Sequence, residues 1–203
     1  MNPEHNKNFE ERKAAVTRET GETKVKTNLN LDGKGNASIQ VEPGFFRHML
    51  ELFAYHSGFD LTIEAVGDVE VDDHHLVEDV GITLGQAFQK ALGDKKGVNR
   101  FADLHLPMDE ALILVAVDLS GRPYLGYQVD FLTQRVGALD LQLIEEFIKS
   151  FVNESKITLH VRKIAGHDSH HIAEAVFKGL GRGLKKAVAR QGEQRIPSTK
   201  GRL

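Results

Sequence analysis

Two segments of the chain carry the same pattern: His74-His75-Leu76-Val77-Glu78 and His170-His171-Ile172-Ala173-Glu174. The likeness extends to both sides. His56-Ser-Gly-Phe-Asp-Leu-Thr-Ile parallels Glu154-Ser-Lys-Ile-Thr-Leu-His-Val, and each runs into a His-His doublet. Leu84-Gly85 likewise parallels Leu180-Gly181. A repeat of roughly a hundred residues is longer than solenoid periods, so it predicts a duplicated α+β unit. The expected units are 1–97, with flexible N-terminal residues, and 98–203, with a basic C-terminal tail. Two sheets, each covered by two helices in one compact domain, is the economical packing.

The local pattern fits that plan. Residues 24–31 alternate, stop at the turn Asp32-Gly33-Lys34-Gly35 and resume at 38–41, which reads as a β-hairpin. Phe46, Met49, Leu50 and Phe53 recur at helical spacing over 45–56, and Ser57-Gly58 stops that helix. A strand is expected over 59–66 and a helix over 74–92. The second half predicts strands at 101–106, 111–118 and 124–129, a helix over 139–152, a strand over 156–164 and a helix over 170–190.

Composition removes several function classes. The chain has no cysteine, which excludes disulfides, thiolate metal sites and cysteine nucleophiles. A net charge of −3 gives no basic field for nucleic acid. No apolar run reaches membrane-span length, and residues 1–18 lack an apolar signal core. No membrane or nucleic-acid partner is expected, and the expected location is the cytoplasm. Ten histidines are an unusual endowment, and imidazole suits metal ligation or proton transfer near neutral pH.

Adjacent residues on a helix point about 100° apart. The two histidines of a doublet therefore reach toward different ions, while Glu78 and Glu174 share a face with their doublets. Each motif is half of two sites, completed by its repeat or by another subunit. His160, on the strand feeding the second doublet, and His48, within the first helix, extend the candidate set. The full set is His48, His74, His75, Glu78, His160, His170, His171 and Glu174. Imidazole and carboxylate without thiolate suit Mn, Fe, Ni or Zn. A looser group of Arg100, Arg122, Lys178, Ser198 and Lys200 offers the cations and hydroxyl that suit a phosphate. His56, at a helix end, is a further substrate-site candidate.

These motifs closely resemble those of the imidazoleglycerol-phosphate dehydratase family, over residues 18–203. The resemblance is carried by Arg-Glu-Thr-Gly-Glu-Thr (18–23), Leu-Asp-Gly-Lys-Gly (31–35), Phe-Phe-Arg-His-Met-Leu (45–50), His-Ser-Gly-Phe-Asp-Leu (56–61) and both doublet motifs. Asn-Arg-Phe (99–101), Met-Asp-Glu-Ala (108–111), Ala-Gly-His-Asp-Ser-His-His (165–171) and Pro-Ser-Thr-Lys-Gly (197–201) complete it. It implies duplicated left-handed split βαβ units like domain 2 of ribosomal protein S5. It also implies two Mn²⁺ per active site and sites shared between subunits of a 24-subunit homo-oligomer. Arg100, Arg122, Lys178, Ser198 and Lys200 match positions that bind the substrate phosphate, and Glu22 matches a glutamate that contacts the substrate's hydroxyl region. Glu51 and Leu52 depart from the Asp and Gln that many relatives carry. With no phosphatase segment ahead of this region, the chain is expected to be monofunctional.

The implied reaction dehydrates D-erythro-imidazole glycerol phosphate to imidazole acetol phosphate in histidine biosynthesis, through an imidazolate and a diazafulvene. Glu22, Glu174, His75 and His171 are the residues expected to carry it, with Glu22 or Glu174 moving protons. The competing class is an S5-like module whose metal is purely structural or which binds nucleic acid.

Overall fold

A computed structural model describes residues 11–191 and 195–201. The first half runs β1 (Lys13–Glu19), β2 (Thr23–Asn30), β3 (Ala37–Gln40), α1 (Gly44–Ser57), β4 (Asp60–Gly67) and α2 (His74–Leu92). The second runs β5 (Phe101–Met108), β6 (Ala111–Asp118), β7 (Tyr124–Gln128), a short hairpin of β8 (Arg135–Val136) and β9 (Leu139–Asp140), α3 (Gln142–Ser155), β10 (Thr158–Ala165) and α4 (Ser169–Val188). The sheets have the orders β1-β2-β4-β3 and β5-β6-β10-β7, one topology used twice. The α+β class and the two sheets with two helices each are as the repeat predicts.

The strands alternate because one face meets helices and the other does not. In β6, Ala111, Ile113, Val115 and Val117 are buried while the residues between them are partly exposed. The helices fill the space between the sheets, α1 packed on α4 and α2 on α3. Phe46, Phe53, Phe88, Phe147, Phe151 and Phe177 are buried there, each contributing about 1.5–3 kcal/mol. Glycine lets the helix pairs approach. A Cβ at Gly85 would lie 2.6 Å from the Phe151 carbonyl oxygen, and one at Gly181 would lie 2.8 Å from that of Phe53.

Strand direction decides where the helices point. β3 is parallel to β4, and β7 to β10. The helices linking them, α1 and α3, run back against their strands, and so do α2 and α4, which follow β4 and β10. All four N-termini therefore gather at one end of the molecule.

Three local expectations are corrected. The 24–31 and 38–41 segments do not pair: β2 lies between β1 and β4, and β3 pairs in parallel with β4. Asp60 is the reason, because its Oδ1 accepts from the amides of Lys34 and Asn36 at 2.9 Å and draws the turn across the end of β4. The edge strand β1 has no counterpart in the sequence reading, since Val16 is its one buried residue. The helix expected from 139 begins at Gln142, because Leu139 and Asp140 pair with Val136 and Arg135.

Candidate metal centre and anion site

Both doublets open their helices. An aspartate two residues upstream accepts from the first histidine of each: Asp72 Oδ1 from the His74 amide at 2.8 Å, and Oδ1 of Asp168, the N-cap of α4, from the His170 amide at 2.8 Å. The rings then diverge as the helical repeat requires. His74 and His75 have centroids 6.2 Å apart at 82°, and His170 and His171 are 6.2 Å apart at 83°.

In the second half the first ring of the doublet is gathered with its partner helix. His48 Nε2 on α1 and His170 Nε2 on α4 each donate to Glu174 Oε1 at 3.2 Å. Lys178 Nζ holds the other oxygen at 2.6 Å. Glu174 is 8 % exposed. Burial alone would raise its carboxyl pKa, but Lys178, His48 and His170 together hold it down to about 2. Two imidazole nitrogens on one carboxylate oxygen are the residue types that suit a borderline divalent cation, though the three ligand atoms are not all within 4.8 Å of one another.

The second ring of each doublet turns to a carboxylate outside its helix. His171 Nδ1 donates to Glu110 at 2.8 Å, and His75 Nδ1 to Asp68 at 3.2 Å. Asp68 raises the His75 pKa and Glu110 that of His171, while His171 holds Glu110 down to about 2. Glu22 stands 3.6 Å from His75 Nδ1. It is set there by the β1–β2 turn, which is pinned to α2 where buried Asp79 accepts from Arg18 Nε at 2.7 Å and from the Thr23 hydroxyl. Among the described residues, Glu22, Asp68 and His75 form a compact group whose ligand atoms lie within 4.8 Å of one another. No such group among those residues joins the two doublets.

His160 is not where the sequence reading puts it. Leu159 and Val161 face the helices, so the alternation of β10 turns His160 to the outer face of the sheet. Its ring lies over Gly126, whose absent Cβ makes room, and 5.4 Å from Tyr124. The repeat shows why. At the offset that aligns Ile63 with Val161, His160 corresponds to Thr62, so its imidazole is not part of the duplication. The same offset equates His48 with Glu146. The Gly85–Phe151 and Gly181–Phe53 approaches are equivalent too, which puts Glu146 of α3 beside α2 as His48 is beside α4. The sequence reading did not pair Glu146 with His48; its Oε2 accepts from Lys149 Nζ at 3.2 Å.

The anion group divides. Arg100, at a φ of 74°, is locked by Asp118 Oδ1 at 2.7 Å and by the Pro197 carbonyl at 2.9 Å, which brings the 195–201 segment against it. The Arg122 amide donates to Ser120 Oγ at 3.0 Å, and the Lys200 amide to Ser198 Oγ at 3.2 Å. The Arg100 amide binds the Ala187 carbonyl at 3.0 Å, at the C-terminal end of α4. Glu174 lies thirteen residues earlier on that helix, about 20 Å away at 1.5 Å per residue. Lys178 alone of the group sits beside Glu174. His56 lies near Lys178 and Arg182, and burial followed by those two cations lowers its pKa. Within one chain, the Arg100 group and the histidines do not make one pocket.

The family model described as imidazoleglycerol-phosphate dehydratase matches residues 41–184. The chain is 54% identical over 193 residues to an imidazoleglycerol-phosphate dehydratase of Caldicellulosiruptor bescii, covering 95% of this chain and 99% of that one. It is 55% identical over 190 residues to one of Carboxydothermus hydrogenoformans, covering 94% and 98%. A crystal structure of the Staphylococcus aureus enzyme superposes with a TM-score of 0.81 at 37% identity, over 88% of this chain and 99% of that one. The Pyrococcus furiosus enzyme, crystallised with (S)-C348, gives 0.80 at 35% identity, over 93% and 100%.

Proposed function

The chain belongs to the imidazoleglycerol-phosphate dehydratase family, hydro-lyases of histidine biosynthesis, and on that premise we propose how its own residues carry out the dehydration of imidazole glycerol phosphate. The active site holds two Mn²⁺ ions. One ion takes His48, His170 and Glu174, and the same argument by repeat assigns His74, Glu78 and Glu146 to the equivalent position. His75 and His171 reach across to ions held mainly by another subunit. The contact of both His48 Nε2 and His170 Nε2 with Glu174 Oε1 carries this reading. When bound, the ions act as Lewis acids on the substrate's imidazole ring and favour loss of its N–H proton.

The elimination removes a hydroxyl from the carbon next to the ring and a proton from the neighbouring carbon. Both glutamate candidates are present, and their surroundings differ. Glu174 already accepts from His48, His170 and Lys178, so its oxygens serve ligation. Glu22 is more than half exposed on its turn, 3.6 Å from His75, and is the group placed to move protons. Arg100, Arg122, Ser198 and Lys200 bind the phosphate. They sit about 20 Å along α4 from Glu174, which a three-carbon phosphate arm does not span. That distance supports a site shared between subunits, in a 24-subunit shell working in the cytoplasm.

The test is release of imidazole acetol phosphate from imidazole glycerol phosphate. Activity is expected to disappear on chelation and to return with Mn²⁺, with two ions bound per active site. Full turnover after complete metal removal would sink the reading. So would full turnover of a dissociated single chain.

A further inference from the structure

The repeat assigns a structural counterpart to Glu22. Thr27 pairs with Ile63 in the first sheet and Val115 with Val161 in the second, and Ile63 corresponds to Val161. Counting back along β2 and β6, Glu22 falls opposite Glu110. Each glutamate sits on the hairpin turn ahead of its central strand, and each faces the second histidine of its half's doublet. Yet they do different things. Glu110 touches His171 Nδ1 at 2.8 Å, while Glu22 stands off from His75 Nδ1 at 3.6 Å. In the first half the contact is made by Asp68, at 3.2 Å, from the loop after β4. Across the bulge at Lys163/Ala165 in β10, Gly67 corresponds to Gly166 and Asp68 to His167, which offers no carboxylate.

We propose that Asp68 and Glu110 are positioning residues: each takes the Nδ1 proton of its histidine, aims Nε2 of His75 or His171 at the metal, and, in the first half, Asp68 frees Glu22 for chemistry on the substrate. This rests on the two-ion reading above. A histidine that ligates a metal through one nitrogen gives the other N–H to a carboxylate or carbonyl, which fixes both tautomer and ring direction. Asp68, Glu22 and His75 are also close enough to hold a cation through Nδ1. The second half argues for orientation instead, because there the same nitrogen meets Glu110 at hydrogen-bond distance with Asp109 on the Nε2 side at 3.6 Å.

Glu110 is also tied to the backbone it must hold still. Its Oε1 accepts from the amides of Asp168 at 2.8 Å and His167 at 3.2 Å, fastening the β5–β6 turn to the start of α4. One carboxylate thus sets both the helix entry and the ring. Asp68 is fastened less: its amide donates to the Glu22 carbonyl at 3.1 Å, and its carbonyl accepts from Val71 at 2.8 Å. That backbone link sets the spacing between Asp68 and Glu22.

The experiment is Mn²⁺ affinity by competition with a chromophoric chelator, on the assembled protein, with thermal melting alongside. Asp68→Asn and Glu110→Gln are expected each to weaken binding about 10- to 100-fold, with Asp68→Asn leaving the melting temperature near wild type. Asp68→Glu, which keeps the charge, is expected to recover part of the loss. Glu22→Gln is expected to keep wild-type Mn²⁺ affinity while losing turnover. Unchanged affinity in Asp68→Asn, or a loss in Glu22→Gln equal to that in Glu110→Gln, would overturn the proposal. A wild-type protein that takes up fewer than two ions per site would instead overturn the two-ion reading, so the two failures are distinct.

Discussion

The two doublets start from the same scaffold and end in different electrostatic surroundings. At the second, Glu174 is closed in by His48, His170 and Lys178. At the first, the repeat puts Glu146 where His48 stands and Ile82 where Lys178 stands. Two cationic or neutral donors are exchanged for a carboxylate and an alkyl chain. Duplication supplied matched helix ends, an aspartate bonded to the first amide of each doublet and matched divergence of the rings. Substitution then set Lys178 and two imidazoles on Glu174, while Glu146 at the other end meets Lys149 of its own helix.

The largest effect that would break the comparison is at the rings. His75→Asn and His171→Asn are each expected to remove one ion of the two. Turnover should fall by more than the roughly 10- to 100-fold that loss of a supporting residue costs. Metal content by atomic absorption, read beside turnover, checks it; a loss confined to one of the two variants would show that only one doublet ligates. Next come the glycines at the helix crossings. Gly85→Ala and Gly181→Ala push a methyl into a carbonyl, and overpacking of this kind costs about 1–3 kcal/mol. Against that, alanine returns up to about 1 kcal/mol of helix propensity. Gly85 has the shorter approach, 2.6 Å against 2.8 Å, so thermal denaturation should show the larger loss there. Of similar size is Lys178→Met, where the charge-assisted bond to Glu174 Oε2, about 1.5–3 kcal/mol, is lost; thermal denaturation should show a loss of that order while the fold persists.

The sequence made the duplication readable because its strongest marks are side chains with one role in both halves. The doublets, Glu78 and Glu174, and the paired Leu-Gly steps lie on helices whose period is visible, and α2 was expected at the residues it occupies. His160 was misplaced because position on a neighbouring strand was taken for proximity, when strand alternation turns every second side chain to the other face. Its repeat partner, Thr62, shows that its imidazole lies outside the duplication. Glu146 was passed over for the opposite reason: it differs in type from His48, and only the register of the repeat shows that they correspond. The pairing of β3 with β4 could not be read, because alternation specifies a face and says nothing of which strand lies alongside.

The smallest expected effect separates the two halves by pH. The turn after β2 is held by Asp60, whose Oδ1 accepts from Lys34 and Asn36 amides; those bonds lower its pKa from the ordinary 3.8. At the corresponding place in the second half stands Thr158, whose hydroxyl meets Ser120 Oγ at 3.0 Å and the Arg122 carbonyl at 3.2 Å, and does not titrate in this range. A carboxyl whose folded pKa is depressed stabilises the fold fully above its unfolded value and loses that contribution as pH falls through the folded one. Asp60→Asn is therefore expected to melt a few degrees below wild type at pH 7. The gap should close as pH drops below about 3.8, where wild-type Asp60 takes up its proton. Thr158→Val should instead show a pH-independent loss, smaller where the exposed hydroxyl is replaced by water. Melting curves of both variants between pH 7 and pH 3 test this: parallel curves for Asp60→Asn and wild type would mean that the ionised carboxylate does not hold the turn, and that the acid sensitivity of the two halves is the same.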